Sequence, residues 1–523
     1  MFQLVRKLLG KKKAGKTPRK DAASGSLTGQ SVSRDLARNK EYIRKTLGSS
    51  EDIILRDLCL AVDNGGCIEA LLVGIDGLMD ESAVSENVIK PLLNKPFPAQ
   101  AELIPEINQR LYLKQYSLVT DLHQALLEVL NASGLLLVDG LPVGWQLHAE
   151  GFVVRPISEP PTEVVVKGPR EGFVESVVTN ATLLRRKLRH PALRFENMLV
   201  GEFTKTNVMI AYIEGIVDPR LVQELKSRLS QIRTDSILSS GEVEQFIEDT
   251  TYTIFPTVGN TERPDRAAAM MLEGRIIVFV DGDPVALIAP YLFIQSLQTS
   301  EDYSSRPFYA TFIRLLRFIA FLISITLPSL YVMAMNFHKE TIPSELVVSL
   351  AESRQRVPFP LVMELVGLII LFEIVREAGV RMPRAIGQAV SIVGALILGQ
   401  VSVQAGFIGA PTIIIVALSA ISSFIITPIA DVTSMLRLLF IIPTSIFGFY
   451  GFLGFGLALL THMASLTSLG VPYLAPFAPF HFRDWKDTFI RLPFRRLRQR
   501  PESIPNLRPQ RIEELPAKRK GNT

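Results

Sequence analysis

Histidine and cysteine are scarce in this chain, and their arrangement excludes more than their number does. The six histidines among 523 residues, His123, His148, His190, His338, His462 and His481, share no common spacing, which leaves a zinc site or a catalytic triad little support. Cys59 and Cys67 are the only cysteines, and no histidine or cysteine cluster stands near them to complete a metal site. They are expected to be reduced, structural thiols. No Walker pattern occurs, because Gly448, Gly451, Gly454 and Gly456 are interleaved with phenylalanine in an apolar stretch, where close helix packing is the expected role. The chain reads as no enzyme, with no cofactor and no nucleic-acid partner. Asn131 and Asn180 head glycosylation triplets but fall in a domain expected in the cytosol, and they read as ordinary surface residues.

Apolar residues, by contrast, are abundant. At 48% hydrophobic with a mean hydropathy of +0.26, the chain is too apolar for an ordinary soluble protein. Up to about Ser305 the apolar runs have strand length and turn residues at both ends, as in Gly274 to Gly282. Beyond residue 318 they reach membrane length. Residues 318–335, 359–375, 385–406 and 407–427 each hold roughly 17 to 22 residues, enough to cross a ~30 Å core. Residues 435–466 are too long for one simple span and are expected as a broken or re-entrant element turning near Pro443 or the glycines 448–456; one long tilted helix with an external tail is the alternative.

Charge sets the expected topology. The first twenty residues carry +8 and residues 483–523 carry +7; removing both from the total of +5 leaves −10 for the body between them. Both ends are expected to face the cytosol, where basic flanks can meet anionic lipid headgroups. No apolar core of signal-peptide length follows the basic start, so the large N-terminal region is expected to stay in the cytosol. Arg314 and Arg317 before the first span, and Arg376, Arg381 and Arg384 after the second, mark cytosolic flanks by the positive-inside rule. Between these spans Ile342, Leu346, Val347 and Leu350 recur at helical spacing, the pattern of a short interfacial helix.

The N-terminal region contains an echo of itself. The segment from Val73, VGIDGLMDESAVSENVIKPLL, resembles that from Ala211, AYIEGIVDPRLVQELKSRL, at an offset near 138, and the VDG turn at Val138 returns at Val280, an offset of 142. Each copy reads as strand, turn, helix and a later Asp-Gly hairpin. The expected fold class is an α/β soluble N-terminal region of two similar lobes followed by an α-helical polytopic membrane domain. Its expected parts are a basic disordered tail 1–38, lobe 1 at 39–157, a linker and lobe 2 at 158–300, a membrane domain at 308–466 and a basic cytosolic tail 467–523.

Three stretches carry a resemblance. KGPREGF (Lys167 to Phe173), EDTTYTIFPTVGNTERPDRAAAMMLEGRIIVFVDGDP (Glu248 to Pro284) with SEDYSSRP (Ser300 to Pro307), and ELVGLIILFEIVREAGVRMPRAIGQAVSIVGALILGQ (Glu364 to Gln400) closely resemble the A subunit of the GerA-type nutrient germination receptors of spore-forming bacteria. The resemblance runs from about Asn39 to Arg500. It implies a receptor in the inner spore membrane, built with a polytopic B subunit that binds the nutrient and a lipoprotein C subunit. The A subunit is then the oligomeric, ion-conducting partner. It implies no catalytic residues.

Two sets of polar residues in apolar sequence are the candidate sites. Gln388, Ser391, Ala395, Leu398 and Ser402 fall three or four apart, so small and polar groups share one helical face. That face either lines a water-filled pore with Leu398 as a constriction or is a small-residue packing surface helped by Gly387 and Gly394. Glu364 and Glu373 lie inside ELVGLIILFEIVREAG, where a carboxylate at helix centre costs about 2.5–3.5 kcal/mol. They point to opposite sides of the helix. Glu364 is expected to act through ion contact or an inter-helix partner, and Glu373 to form a structural ion pair with Arg376 or Arg384. A ligand-gated channel or transducer is the leading reading; a secondary transporter and a non-conducting scaffold are the alternatives.

Overall fold

The computed structural model describes residues 30–511 apart from 64, 99–101, 152–159, 161, 166, 383–393 and 395–396. Its N-terminal half is built on two five-stranded antiparallel sheets. The first contains β1 (Ile53–Ala61), β2 (Cys67–Ile75), β3 (Tyr116–Val119), β4 (Gly134–Val138) and β5 (Gly144–Leu147) in the order β1-β2-β4-β5-β3. The second contains β6 (Leu193–Val200), β7 (Thr206–Ile213), β8 (Gly259–Thr261), β9 (Ile276–Val280) and β10 (Ala286–Ala289) in the equivalent order β6-β7-β9-β10-β8.

The helices repeat as well. The first unit has α1 (Leu36–Leu47), α2 (the run Glu81–Val84, Ser85–Ile89 and Lys90–Leu93), α3 (Leu103–Arg110) and α4 (Leu122–Val129). The second has α5 (Val177–Lys187), α6 (Pro219–Gln231), α7 (Ser240–Ile247) and α8 (Pro264–Met271) in matching places. Alternation explains the layering. Leu135 and Leu137 of β4 enter one apolar cluster while Leu136 and Val138 enter another, and β9 divides its residues likewise. Both faces of each central strand are therefore covered by helices, which is why these strands read as continuous apolar runs.

The duplication extends to single hydrogen bonds. Asn39 accepts from the Ser33 amide at 2.9 Å and donates back to its carbonyl at 2.7 Å; Asn180 does the same with Val174 at 2.8 and 2.6 Å. Asp139 accepts from the Leu36 amide and Asp281 from the Val177 amide, each clamping a helix start to an Asp-Gly turn. Asn180 is thus fully buried, a correction to its reading as a surface residue; a side chain that must satisfy a loop's backbone has to lie beneath it.

The two units are joined by a buried ion pair. Arg185 of α5 grips Asp52 through Nε at 2.9 Å and Nη2 at 2.6 Å, and Ser50 Oγ donates to Asp52 while accepting from the Phe195 amide. In the second unit Glu244 of α7 sits close to Glu248, and its carboxyl is pushed up to about 7, by burial first and by the Glu248 charge second. The fold therefore holds the proton more tightly than the unfolded chain does. This contribution to stability is complete below the ordinary value of 4.5 and is lost as pH rises through about 7. Unfolding followed across that window should show stability falling with pH, and Glu244→Gln should flatten the fall.

Three expectations from sequence require correction here. Cys59 and Cys67 are joined as a disulfide with their Cα atoms 5.6 Å apart. The β1/β2 register sets Ala61 opposite Cys67, so the two cysteines are diagonal neighbours on one face. Residues 467–511, read as part of a basic tail, fold back on the second unit. The Phe293 amide donates to the Tyr473 carbonyl at 3.0 Å, the Leu507 amide to the Ile216 carbonyl at 2.9 Å, and Arg500 Nε to the Leu272 carbonyl at 2.6 Å. Within the expected N-terminal tail 1–38, α1 already starts at Leu36, with Asp35 as its cap.

The C-terminal half is helical: α9 (Pro307–Asn336), α10 (Ser344–Arg354), α11 (Leu361–Arg381), α12 (Ala410–Phe424), α13 (Ala430–Phe447) and α14 (Phe449–Ser465). Among the described residues two helices are long and apolar enough to cross a membrane, Pro307–Asn336 and Thr427–Phe447. α13 and α14 form a hairpin that turns on Gly448 at φ 56, a left-handed conformation in which a Cβ would also meet the Phe337 ring at 2.8 Å. Phe440 packs on Phe452 and Phe455 across it. α10 presents Leu346 and Val348 outward, while Ile342 and Leu350 pack inward. One apolar cluster runs without a break from Ile276 and Val278 through Phe293 to Phe321, Phe440 and Met463. The second unit and the helices thus share a core.

Candidate functional site: buried charges within and below the helices

Three clusters of charge lie within or at the base of the helical region. The lowest is at the base of α9. Asp302, 3% exposed, follows β10 by a short connection and accepts from Arg314 Nε at 2.9 Å and from Arg317 Nη1 at 2.9 Å to each oxygen. Arg314 Nη1 also reaches Asp487 Oδ1 at 2.9 Å and the Asp487 carbonyl at 2.7 Å, and Tyr303 donates to Asp487 Oδ2 at 3.0 Å. Arg491 stacks over Tyr303 and Phe494 at 4.7 and 4.5 Å. Burial pushes the Asp487 carboxyl up, against the pull of Arg314. The same burial, with the Asp487 charge beside it, pushes the Tyr303 hydroxyl up. Three pieces of chain, the exit of the second unit, the foot of α9 and the C-terminal segment, are tied at one point. Arg314 and Arg317, expected from sequence to mark a cytosolic flank, are buried ion-pair partners.

The second cluster surrounds Glu373. It pairs with Arg376 at 2.9 Å and lies 3.7 Å from Arg437. Arg437 of α13 is wholly buried and donates to the carbonyls of Ser324 at 3.1 Å and Ser419 at 3.4 Å, so one guanidinium joins α9, α11, α12 and α13. Sequence reasoning missed it. The signal was available, a lone arginine in the apolar run MLRLLFII, and it carries the same desolvation argument that singled out Glu364.

The third cluster is centred on Glu364. Its Oε1 accepts from the Gly409 amide at 2.7 Å, and Oε2 lies 3.4 Å from Arg354 of α10. Gly409 is the residue before α12, so the carboxylate faces the positive end of that helix. Glu364 therefore touches two other helical elements, the start of α12 and α10. Glu377 pairs with Arg381 on the exposed side. Of the expected pore face, Gln388, Ser391 and Ala395 lie outside the described residues, as do Arg384 and the side chain of Leu398; Ser402 is half-buried at the end of that stretch, and Gly394 lies close on Val375 of α11. Among the described residues no group of histidine, cysteine, aspartate and glutamate could hold a metal ion.

These features define a class of protein: a duplicated α/β domain fused through buried ion pairs to an apolar helical region. The chain belongs to the family described as Bacillus/Clostridium GerA spore germination protein, whose sequence profile matches residues 41–503. Spore germination protein KA of Bacillus subtilis (strain 168) is 42% identical over 476 residues, 90% of this chain and 87% of that one. Spore germination protein GerLA of Bacillus cereus is 35% identical over 466 residues, 88% and 94% of the two chains. The crystal structure of the N-terminal domain of the A subunit of the Bacillus megaterium spore germinant receptor GerK3 is 35% identical, with a TM-score of 0.39, covering 51% of this chain and 98% of that one.

Proposed function

We propose that this chain is the A subunit of a nutrient germinant receptor that triggers spore germination, working as an oligomeric ligand-gated ion channel or transducer in the bacterial cell membrane or inner spore membrane. Its partners are a polytopic B subunit, a lipoprotein C subunit, further copies of itself and anionic lipids. In this reading the chain crosses the membrane several times, its α/β units and both termini are cytoplasmic, and residues 388–402 border the conducting path. The observation that carries the reading is the joint at Asp302. A movement of the second α/β unit cannot be absorbed there, because the connection, α9 and the C-terminal segment share buried ion pairs. It is passed to the apolar helices instead.

Within this reading a transducer without its own pore is favoured by one feature: Glu364, Glu373 and Arg437 each have an ion-pair or hydrogen-bond partner inside a single chain, although one buried atom of each, Glu364 Oε2, Glu373 Oε1 and Arg437 Nη1, makes no hydrogen bond. The two forms separate on measurement. The purified chain in planar bilayers should conduct if it forms the pore, and cysteines placed at Gln388, Ser391 and Ser402 should react with a water-soluble thiol reagent during germination. Silence in both assays removes the channel form, and a normal nutrient response from a chain whose joint is disrupted but which still assembles removes the transducer as well.

A further inference from the structure

Between α9 and the α13/α14 hairpin lies a pocket of about 500 Å³, lined by Phe318, Leu322 and Ile325 of α9, Gly456 and Leu460 of α14 and Phe489 of the C-terminal segment. Its volume is that of a small-ligand site. Thr326 brings the one hydroxyl among its lining side chains, and that hydroxyl already donates to the Leu322 carbonyl at 2.7 Å. Nothing in the wall can bind a polar nutrient, an ion or an ordered water. A partner helix also fits poorly, since a helix about 10 Å across fills such a volume in little more than one turn.

The surroundings point to one occupant. Phe489 meets Phe318 edge to face with ring centroids 4.9 Å apart, and two residues on the Arg491 amide donates to Thr311 Oγ1 at 3.0 Å. The C-terminal segment therefore runs along α9 from the pocket mouth toward the α/β units. Beside that mouth Phe480 and Phe482 are 62% and 78% exposed, near Trp485 and next to Arg483 and Lys486, and Arg495 and Arg496 are exposed a few residues on. Aromatic rings mixed with basic side chains are the composition of a membrane–water interface, and residues 467–511 hold nine basic against three acidic residues.

We propose that this pocket holds one acyl chain of an anionic membrane phospholipid, whose headgroup meets the basic and aromatic strip at 480–496. The inference rests on the membrane placement of α9 proposed above, and the two can fail separately. The full-length chain mixed with phosphatidylglycerol vesicles should float with them; failure to float overturns the membrane placement. Photo-crosslinking with phosphatidylglycerol carrying a diazirine midway along one acyl chain should then label peptides spanning 318–326 and 452–463. Gly456→Phe, which fills the pocket, should cut that labelling roughly tenfold with flotation unchanged, and Leu322→Phe provides the same reading should the first variant not accumulate. Labelling indifferent to both variants, labelling equally strong from phosphatidylcholine, or disulfide crosslinking of Gly456→Cys between two copies of the chain would each overturn the lipid site.

Discussion

Asp302→Ala should lower the stability of the full chain in detergent micelles by about 3–5 kcal/mol, the range for removing one partner of a buried ion pair. The reason is what remains. Arg314 is 2% exposed and Arg317 8%, and Asp302 supplies both with charge-assisted hydrogen bonds. Asp487 still reaches Arg314, but the Arg317 guanidinium keeps only the Leu297 carbonyl and the Thr299 hydroxyl. An uncompensated buried cation is more costly than no ion pair at all. The triple replacement Asp302→Leu, Arg314→Met, Arg317→Met should therefore be less destabilised than the single one. It should also uncouple: the chain accumulates, while the nutrient response weakens because the joint has lost its directional bonds. Denaturant unfolding of the three proteins decides the first point and spore germination the second. A single variant within about 1 kcal/mol of the parent would mean that the joint is wet and loose.

Glu364 should separate charge from shape. Glu364→Ala strips the Gly409 amide of its acceptor and Arg354 of its counter-charge, and a loss of about 3–5 kcal/mol is expected. Glu364→Gln keeps a carbonyl oxygen for the amide at the start of α12 and gives up only the attraction to Arg354, so a loss of about 1–2 kcal/mol is expected. The alanine variant should be depleted from the spore membrane and the glutamine variant retained, with a response close to the parent. Immunoblots of membrane fractions and germination rates measure both. A glutamine variant that assembles fully yet ignores nutrient would show that the negative charge itself is used, as contact with a moving ion requires.

Much of the α/β architecture is legible in local pattern. The strands β4 and β9 announce themselves as short apolar runs closed by Asp-Gly turns, and the second copy of each element follows the first at nearly constant offset. The glutamate pair was visible because a carboxylate stands out in an apolar run. Arg314, Arg317 and Asp487 were not, because each lies among other charges where a solvated flank is the ordinary reading. The pairing of Cys59 with Cys67 was hidden for a related reason. Eight residues of separation say nothing until the β1/β2 register brings the two together.

By itself the sequence determined the repeated α/β units, the concentration of apolar helices after residue 307 and membership of the germination family. Those depend on periods of two and 3.6 residues, on turn residues and on long matched stretches, all properties of neighbours along the chain. Only the tertiary structure decided which charges meet. Arg314 and Asp487 are 173 positions apart and Asp52 and Arg185 are 133 apart. No local rule selects such partners, because the choice belongs to the packing that buries Asp52, Arg185 and Arg314 and half-buries Asp487 together.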